Sequence, residues 1–501
     1  MTNAVAGQPR ERRPNLLGRL LEWRRQWLSM DKDARALTFA VTPIGIVAMH
    51  ATLFACLFGC EFPRPALAIT AIALPLIALF PARKFAVIAL STVGFLLLTP
   101  LRTVALTPLP QYLIERYGVT WLDPVAVNVG MALLFMALAY GALSLQARYR
   151  HSAAARRPVI ASLVAFWVLV AITLTDMLPA TAQILLWTLI AMFSSWFWYL
   201  AYALGDQRGK DATPRWQRVG LFRPMWGPSP TPIGKGAGYL RKFEAKTQAE
   251  LAAVRLRAVK LAVWAAILFT LARLAGTLVH DVAAIPSLMD TLAAVETSGP
   301  PVPATGWMIV VSHYLLSILN FCVYGHLLVA TIRMAGFGIP RNSARPLSAR
   351  TLAEFWNRFY FYFKELLVDF FFYPAFLRWF KTNPKLRIAF ATFCAAGAGN
   401  FLYHFMRDVD IVARSGLLAA LHQFQSYAVY CALLSAGLII SQLRNRRPKP
   451  EDGFLKYDVL PRINVGLFFC LLAVLGEGEG EALVPLTVRL EFLLSLLGVR
   501  P

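Results

Sequence analysis

Long apolar runs, most of them near the length of a bilayer core and many closed by arginine or lysine, recur from Ala36 almost to the end of the chain. A hydrocarbon core takes about 20 apolar residues per helix. Inside it every backbone N–H and C=O must find a partner within the protein. Together these constraints leave helices as the elements such a sequence forms. Runs over 36–59, 66–80, 85–106, 123–147, 158–178, 181–204, 259–280, 305–333, 386–405, 414–442 and 463–476, with a return over 482–498, stand out. They predict about ten to twelve transmembrane helices. The expected fold class is all-α, a polytopic integral membrane protein, with further tilted or re-entrant helices buried inside it. Only 15% of residues are charged and 57% are hydrophobic, against about a quarter charged in soluble domains. That sets aside an ordinary soluble enzyme and a disordered chain alike.

The 50 Lys and Arg outnumber the 27 Asp and Glu, for a formal net charge of +23. In so apolar a chain the excess is better read as span flanks than as a nucleic-acid surface, because basic residues hold loops on the cytoplasmic side. With the N-terminus cytoplasmic, the inside loops carry Arg83 and Lys84, then Arg148, Arg150, Arg156 and Arg157, then the segment 206–258. Arg333, Arg341, Arg345 and Arg350 follow, and finally Arg444, Arg446, Arg447 and Lys449. The opposite loop 281–304 has no Lys or Arg and carries Asp281, Asp290 and Glu296. No nucleic-acid partner is expected.

Four regions follow from this pattern. Residues 1–35 form a basic arm in which Leu16, Leu17, Leu20, Leu21, Trp27 and Leu28 recur at helical spacing, suited to lying on anionic membrane lipids. A first transmembrane bundle covers 36–205, a basic cytoplasmic loop 206–258 and a second transmembrane region 259–501. The Pro/Gly-rich start of the loop forbids a regular helix. Its Gly234-Lys235-Gly236 has no following Ser or Thr and no leading strand, so it is not a P-loop. The loop reads as an interfacial anchor for neighbouring helices, or as part of a mouth for an anionic ligand. Cys56, Cys60, Cys322, Cys394, Cys431 and Cys470 all lie in apolar stretches, with no His or carboxylate spaced to complete a zinc site. They read as packing residues, and no metal site is expected.

Two segments carry the chemistry. The stretch 348–381 is dense in aromatics yet holds Glu354, Asn357, Arg358, Lys364, Glu365 and Asp369. It is too polar to face lipid and suits broken or tilted helices inside protein. The stretch 393–408 has small residues from Ala395 to Gly399, which permit close helix approach. Asn400 and His404 then share a helical face. Ionisable residues within membranes are expensive and tend to be functional, and a neutral imidazole can take a proton from a hydroxyl. A histidine satisfied by a neighbouring helix is the alternative. His50, His280, His313, His326 and His422 share that ambiguity.

The run Phe355-Trp356-Asn357-Arg358-Phe359-Tyr360, followed by Val368-Asp369-Phe370 and Pro374, resembles the central motif of the membrane-bound O-acyltransferase family. The bacterial branch that acylates alginate and teichoic acids is the nearest in pattern. That branch reads F-W-R-R-W-H, then R-D-Y, then a proline, and an invariant histidine follows some tens of residues later. His404 lies 44 positions after Tyr360. The chain is divergent: Tyr360 stands at the motif histidine, Val368 at the arginine before the aspartate, and Tyr403-His404-Phe405 at the usual W-H-G. By motif the resemblance covers roughly 340–410.

The resemblance implies an O-acyltransferase of the cell inner membrane, using a thioester such as acyl-CoA as co-substrate and no bound cofactor. A soluble or periplasmic partner protein fits the same picture. His404 would deprotonate a hydroxyl on a polysaccharide, lipid or small-molecule acceptor. Asp369 would orient the motif helix or His404, or else pair with Arg358 or Lys364. Trp356, Asn357, Arg358, Tyr360, Lys364, Asn400 and Tyr403 would contact donor or acceptor. Phe361, Phe363 and Phe370 to Phe372 would pack as core or line a tunnel. A transporter or flippase using His404 and Asp369 in an ion path is the alternative, and a membrane scaffold docking through the arm and the 206–258 loop is a third.

Overall fold

The structure, a computed structural model, describes residues 16–98, 107–175, 177–209, 212–222, 229, 231–444, 449–476 and 484–499. Arg10, Arg12 and Arg13 of the arm, and Arg446 and Arg447, lie outside these residues. Helix α1 (Leu16–Ser29) leads to α2 (Ala34–Ala40) and α3 (Pro43–Gly59). The last two are bent 91° to each other. The bend is written locally: Thr42 accepts from the Gly45 N–H, and Pro43 opens α3 where no N–H is required. Helices α4 (Arg64–Leu79), α5 (Lys84–Leu98), α6 (Leu109–Tyr117), α7 (Pro124–Arg148), α8 (Ala153–Arg156), α9 (Pro158–Thr173) and α10 (Ala180–Asp206) follow.

The polar stretch after α10 holds two short helices, α11 (Arg215–Val219) and α12 (Ala237–Lys242). Helix α13 (Gln248–Gly276) then runs into a π-helical end over Thr277–Val282. After α14 (Leu288–Ser298) and α15 (Pro303–Met334), the aromatic region forms α16 (Leu352–Arg358), α17 (Phe361–Leu367), a π segment over Val368–Phe372 and α18 (Tyr373–Arg378). Helix α19 (Pro384–Thr392), a third π segment over Phe393–Gly399 and α20 (Asn400–Arg407) run on without a break. The chain continues through α21 (Asp410–Ser415), α22 (Leu417–Gln423), α23 (Gln425–Leu443), α24 (Leu460–Val474) and α25 (Leu486–Ser495). There is no strand among the described residues.

Six helical stretches among the described residues are long and apolar enough to cross a membrane: 124–148, 180–206, 248–282, 303–334, 425–443 and 455–474. The bent pair α2–α3 adds a broken seventh, and α4 and α9 are shorter apolar helices. Burial sorts them. The apolar window of α10 is 78% buried inside the protein and that of 248–282 only 17%. The first is therefore a central strut and the second an outer wall. Ile44, Phe58, Ile72, Leu90, Val125 and Ile160 also point outward. An apolar exterior on this scale calls for a solvent other than water, and the architecture is that of a multi-pass membrane protein.

Three hydrophobic cores form inside. One gathers α6, α7, α9 and α10 with α20–α23. The second joins α3, α4, α5, α13 and α15. The third joins α14 and α15 with α23, α24 and α25. The aromatic region stitches them together: Phe355 sits in the third, Tyr362 in the second, and Phe363, Leu366 and Leu367 in the first. Its density of rings thus follows from facing three cores within about two helical turns.

Candidate active site

Tyr360 marks the joint between α16 and α17. Its φ is +54°, in the left-handed region, which costs a residue with a Cβ about 1–3 kcal/mol unless its surroundings hold it there. The holding groups are present. Thr351 caps α16 through the Glu354 N–H, and Glu354 in return accepts from the Arg350 N–H. Arg358, at the end of α16, pairs with Glu354 and donates to Ser348. Across the joint, the Asn342 carbonyl accepts from the Phe361 N–H at 2.7 Å and the Ala344 N–H donates to the Arg358 carbonyl at 2.8 Å. The Asn342 side chain accepts from the Tyr362 N–H at 3.3 Å. The first donors of α17, which no helical turn can satisfy, are met in this way.

The Tyr360 hydroxyl points to Thr231. The buried Thr231 Oγ1 lies 3.2 Å from the Tyr360 hydroxyl and 3.0 Å from that of Tyr403 on α20. One residue of the 206–258 segment therefore bridges the two stretches singled out from the sequence. Tyr199 of α10 secures the bridge from behind, donating to the carbonyls of Ser229 and Thr231.

Four residues on, the Gly-Lys-Gly turn delivers Lys235 into the protein. Its ammonium donates to Glu365 at 2.9 Å and to Asp369 at 2.8 Å. Tyr202 of α10 donates to the same Asp369 oxygen at 2.9 Å, and Lys364 pairs with Glu365. The turn has a steric cause. Asp206, ending α10, accepts from the Gly238 N–H, and a Cβ on Gly236 would lie 2.1 Å from its carboxylate oxygen. Burial opposes charge on Lys235, but its bonds to Asp369 and Glu365 outweigh that and hold the ammonium above its ordinary pKa. Burial likewise opposes charge on Glu365, and Lys364 and Lys235 outweigh it, holding the carboxyl below its ordinary value.

His404 lies on the other side of Tyr403. Its ring is half-buried among three aromatics, 4.6 Å centroid to centroid from Tyr427, 5.1 Å from Tyr403 and 5.6 Å from Phe363. Tyr427 also donates to the Asn400 side chain at 3.0 Å, so one tyrosine of α23 touches both residues of the Asn400/His404 face. The π segment before α20 packs against the π segment after α17: a Cβ on Gly399 would lie 2.6 Å from the Phe371 ring. Single π turns are frequent at functional sites, and here two of them meet. Trp198 of α10 packs against Phe370, Phe371 and Tyr403 and closes the group.

The structure therefore brings Tyr360, Tyr403, Asn400 and His404 into one neighbourhood and seats Asp369 and Lys364 in the charged network beside it. Asp369 pairs with Lys235 and Tyr202 rather than with Arg358 or Lys364. Trp356 is half-buried, with its ring edge towards Phe363. Asn357 is exposed, and Arg358 is engaged at the foot of α16. Phe363 packs in a core, with Phe370, Phe371 and Phe372 against it. Thr231, Tyr202 and Tyr427 were not singled out from the sequence, and Lys235 was weighed there only as part of a P-loop the chain lacks. Glu365 had a signal, since it stands four residues before Asp369 and shares its face. Among the described residues no three His, Cys, Asp or Glu side chains group as metal ligands. The polar groups suit hydrogen bonds to a carbonyl or hydroxyl. Compared with known families, no family model matches this chain, and no curated protein matches it.

Proposed function

We propose that the protein is a multi-pass O-acyltransferase that moves an acyl group from a thioester such as acyl-CoA to a hydroxyl acceptor, with His404 as general base. The observation that carries the reading is His404, half-buried in an aromatic setting beside the linked hydroxyls of Tyr360, Thr231 and Tyr403. An imidazole there is largely kept from bulk water. It takes the proton of the acceptor hydroxyl, the alkoxide oxygen attacks the thioester carbonyl carbon, and the C–S bond breaks. The leaving thiolate then recovers the proton from the imidazolium. The tyrosine hydroxyls can donate to the carbonyl oxygen as charge develops on it. Asn400 and Tyr427 fix the helix face. Asp369, tied to Lys235 and Tyr202, is a positioning residue for the π segment that meets Gly399.

The resemblance of 355–374 to the acyltransferase motif supports this reading. On this reading the bent pair, α4, α5, α9 and the continuous 384–407 run cross the membrane together with the six long stretches, making eleven crossings. With the N-terminus cytoplasmic in an inner membrane, every basic loop then falls inside and 281–304 outside. On this reading His404 lies within the membrane, where a cytoplasmic donor would serve an acceptor entering from the other face.

The buried Lys235–Asp369–Glu365 network favours a second reading, a carrier that moves an ion along that path. Turnover separates the two. In proteoliposomes supplied with radiolabelled acetyl-CoA and longer acyl-CoAs plus envelope extract, the wild type should release free thiol and His404→Ala, matched for amount and folding, should not. Equal and negligible release from both would remove the acyltransferase reading.

A further inference from the structure

On the side of α13 and α15 that meets the N-terminal arm, cations outnumber the carboxylate set against them. Arg257 and Lys260 stand one turn apart on α13, and both reach Asp31 between α1 and α2. The Lys260 ammonium pairs with it directly and also donates to the Leu28 carbonyl at 2.7 Å, while Arg257 Nε lies 3.9 Å from Asp31 Oδ2. Arg333 ends α15 and Arg341 follows it. A Cβ on Gly338, between the two, would lie 3.8 Å from an Arg257 guanidinium nitrogen, and Asp31 acts on the charge of both arginines, as Arg257 and Arg341 act on that of Arg333. Arg333 is buried and turns two N–H groups onto one carbonyl, that of Ile339, at 3.0 and 2.7 Å. Among the described residues Asp31 is the carboxylate in ion-pair contact with this group.

Positive charges thus outnumber the carboxylate set among them at a partly dry surface. Like charges so placed are held together at a cost, which an incoming anion would remove. Nδ1 of His326, about two turns before Arg333 on α15, is buried and has no hydrogen-bond partner among the described residues. It too lies within range of Arg341 and Arg333. Planar guanidinium forks match the oxygens of a phosphate group. The segment that carries Arg341 is not loose: the Tyr362 hydroxyl donates to the Pro340 carbonyl at 3.0 Å, and Asn342 is bonded to the start of α17.

We propose that Arg257, Lys260, Arg333 and Arg341 form a binding site for a phosphate-bearing anion, with Asp31 as a built-in competitor for it. The ligand is a phospholipid headgroup or a soluble phosphate, and the site stands independently of acyl transfer. The test uses the full-length protein in nanodiscs of neutral phosphatidylcholine, titrated with inorganic pyrophosphate at constant ionic strength. Saturable binding is expected. Arg341 is exposed, so Arg341→Gln should keep the fold and weaken binding about tenfold, the scale of one charge-assisted contact. Asp31→Asn should tighten binding by a similar factor while lowering the melting temperature without ligand. A merely structural ion pair would give the second effect without the first. In discs containing phosphatidylglycerol, loss of pyrophosphate binding assigns the site to a lipid headgroup, and unchanged binding assigns it to a soluble anion. The proposal is overturned if neither wild type nor Asp31→Asn binds pyrophosphate saturably in neutral discs and phosphatidylglycerol leaves the melting temperature unchanged. It is equally overturned if Arg341→Gln binds as the wild type does.

Discussion

Replacing Lys235 by Met removes the cation that two carboxylates share. Lys235 is 13% exposed, and Glu365 and Asp369 are 22% and 29% exposed. Breaking a fully buried pair costs about 3–5 kcal/mol because an uncompensated charge stays behind. Some water reaches these carboxylates, and Lys364 still serves Glu365, so the expected loss is roughly 2–3 kcal/mol. Asp369→Asn is milder, at about 1 kcal/mol, because the amide oxygen still accepts from Tyr202 and Lys235 keeps Glu365. The double variant should cost less than the sum by about 1 kcal/mol or more, since removing the Asp369 charge relieves the repulsion that the lysine had masked. Unfolding of the purified protein by SDS titration in mixed micelles reads all three. Lys246→Met is the control, for that lysine is 65% exposed and pairs weakly with Glu244. If Lys235→Met costs no more than Lys246→Met, or if the two network substitutions add, the ion network does not hold the site as argued.

Gly399→Ala should destabilise by about 1–3 kcal/mol, because its Cβ would press on the Phe371 ring, and a second substitution, Phe371→Leu, should recover part of the loss in the same unfolding assay. Thr231→Val keeps the shape but removes the link between the Tyr360 and Tyr403 hydroxyls, so it should cost about 1–2 kcal/mol in stability and lower the rate of thiol release. The network also sets a pH window. The Glu365 carboxyl is held low, so its contribution is complete above the ordinary glutamate value of about 4.3 and is lost as pH falls through the folded value. Lys235 is held high, so its contribution is complete below about 10.4 and is lost as pH rises through its folded value. Unfolding measured against pH should show both limbs in the wild type, and Lys235→Met should weaken both.

The helical architecture was legible because its cause is local: runs of apolar residues must satisfy their own backbone, whatever they pack against. The broken helices around 348–381 were legible for the same reason, since polar groups amid aromatics have no place facing lipid. The first run, 36–59, hid its break, because Thr42-Pro43 is a short capping signal inside continuous apolar sequence. The pairing of Asn400 with His404 followed from helical spacing, but the tyrosine that joins them comes from α23, and no spacing rule reaches it. The 206–258 segment read as a cytoplasmic loop, an interfacial anchor or part of a ligand mouth, because it is polar and rich in Pro and Gly. In the fold Thr213, Arg218 and Thr231 are buried, and Lys235 meets residues about 130 positions away in the sequence, beyond the reach of any local pattern. Asn357 shows the opposite limit, where a motif position falls on the exposed side of a short helix.

The contact between Asp206 and the turn that follows it also governs how this lineage can change. A methyl group at position 236 cannot coexist with the Asp206 carboxylate as it stands. Shortening residue 206 first would leave the Gly238 N–H without its acceptor and release the turn that presents Lys235. A substitution at either position should disturb the turn, so 206, 236 and 238 are expected to change together. Distant kin of this chain should be recognisable by that spaced trio joined to the Lys235–Asp369 pair, even where the contiguous motifs around them have drifted beyond recognition.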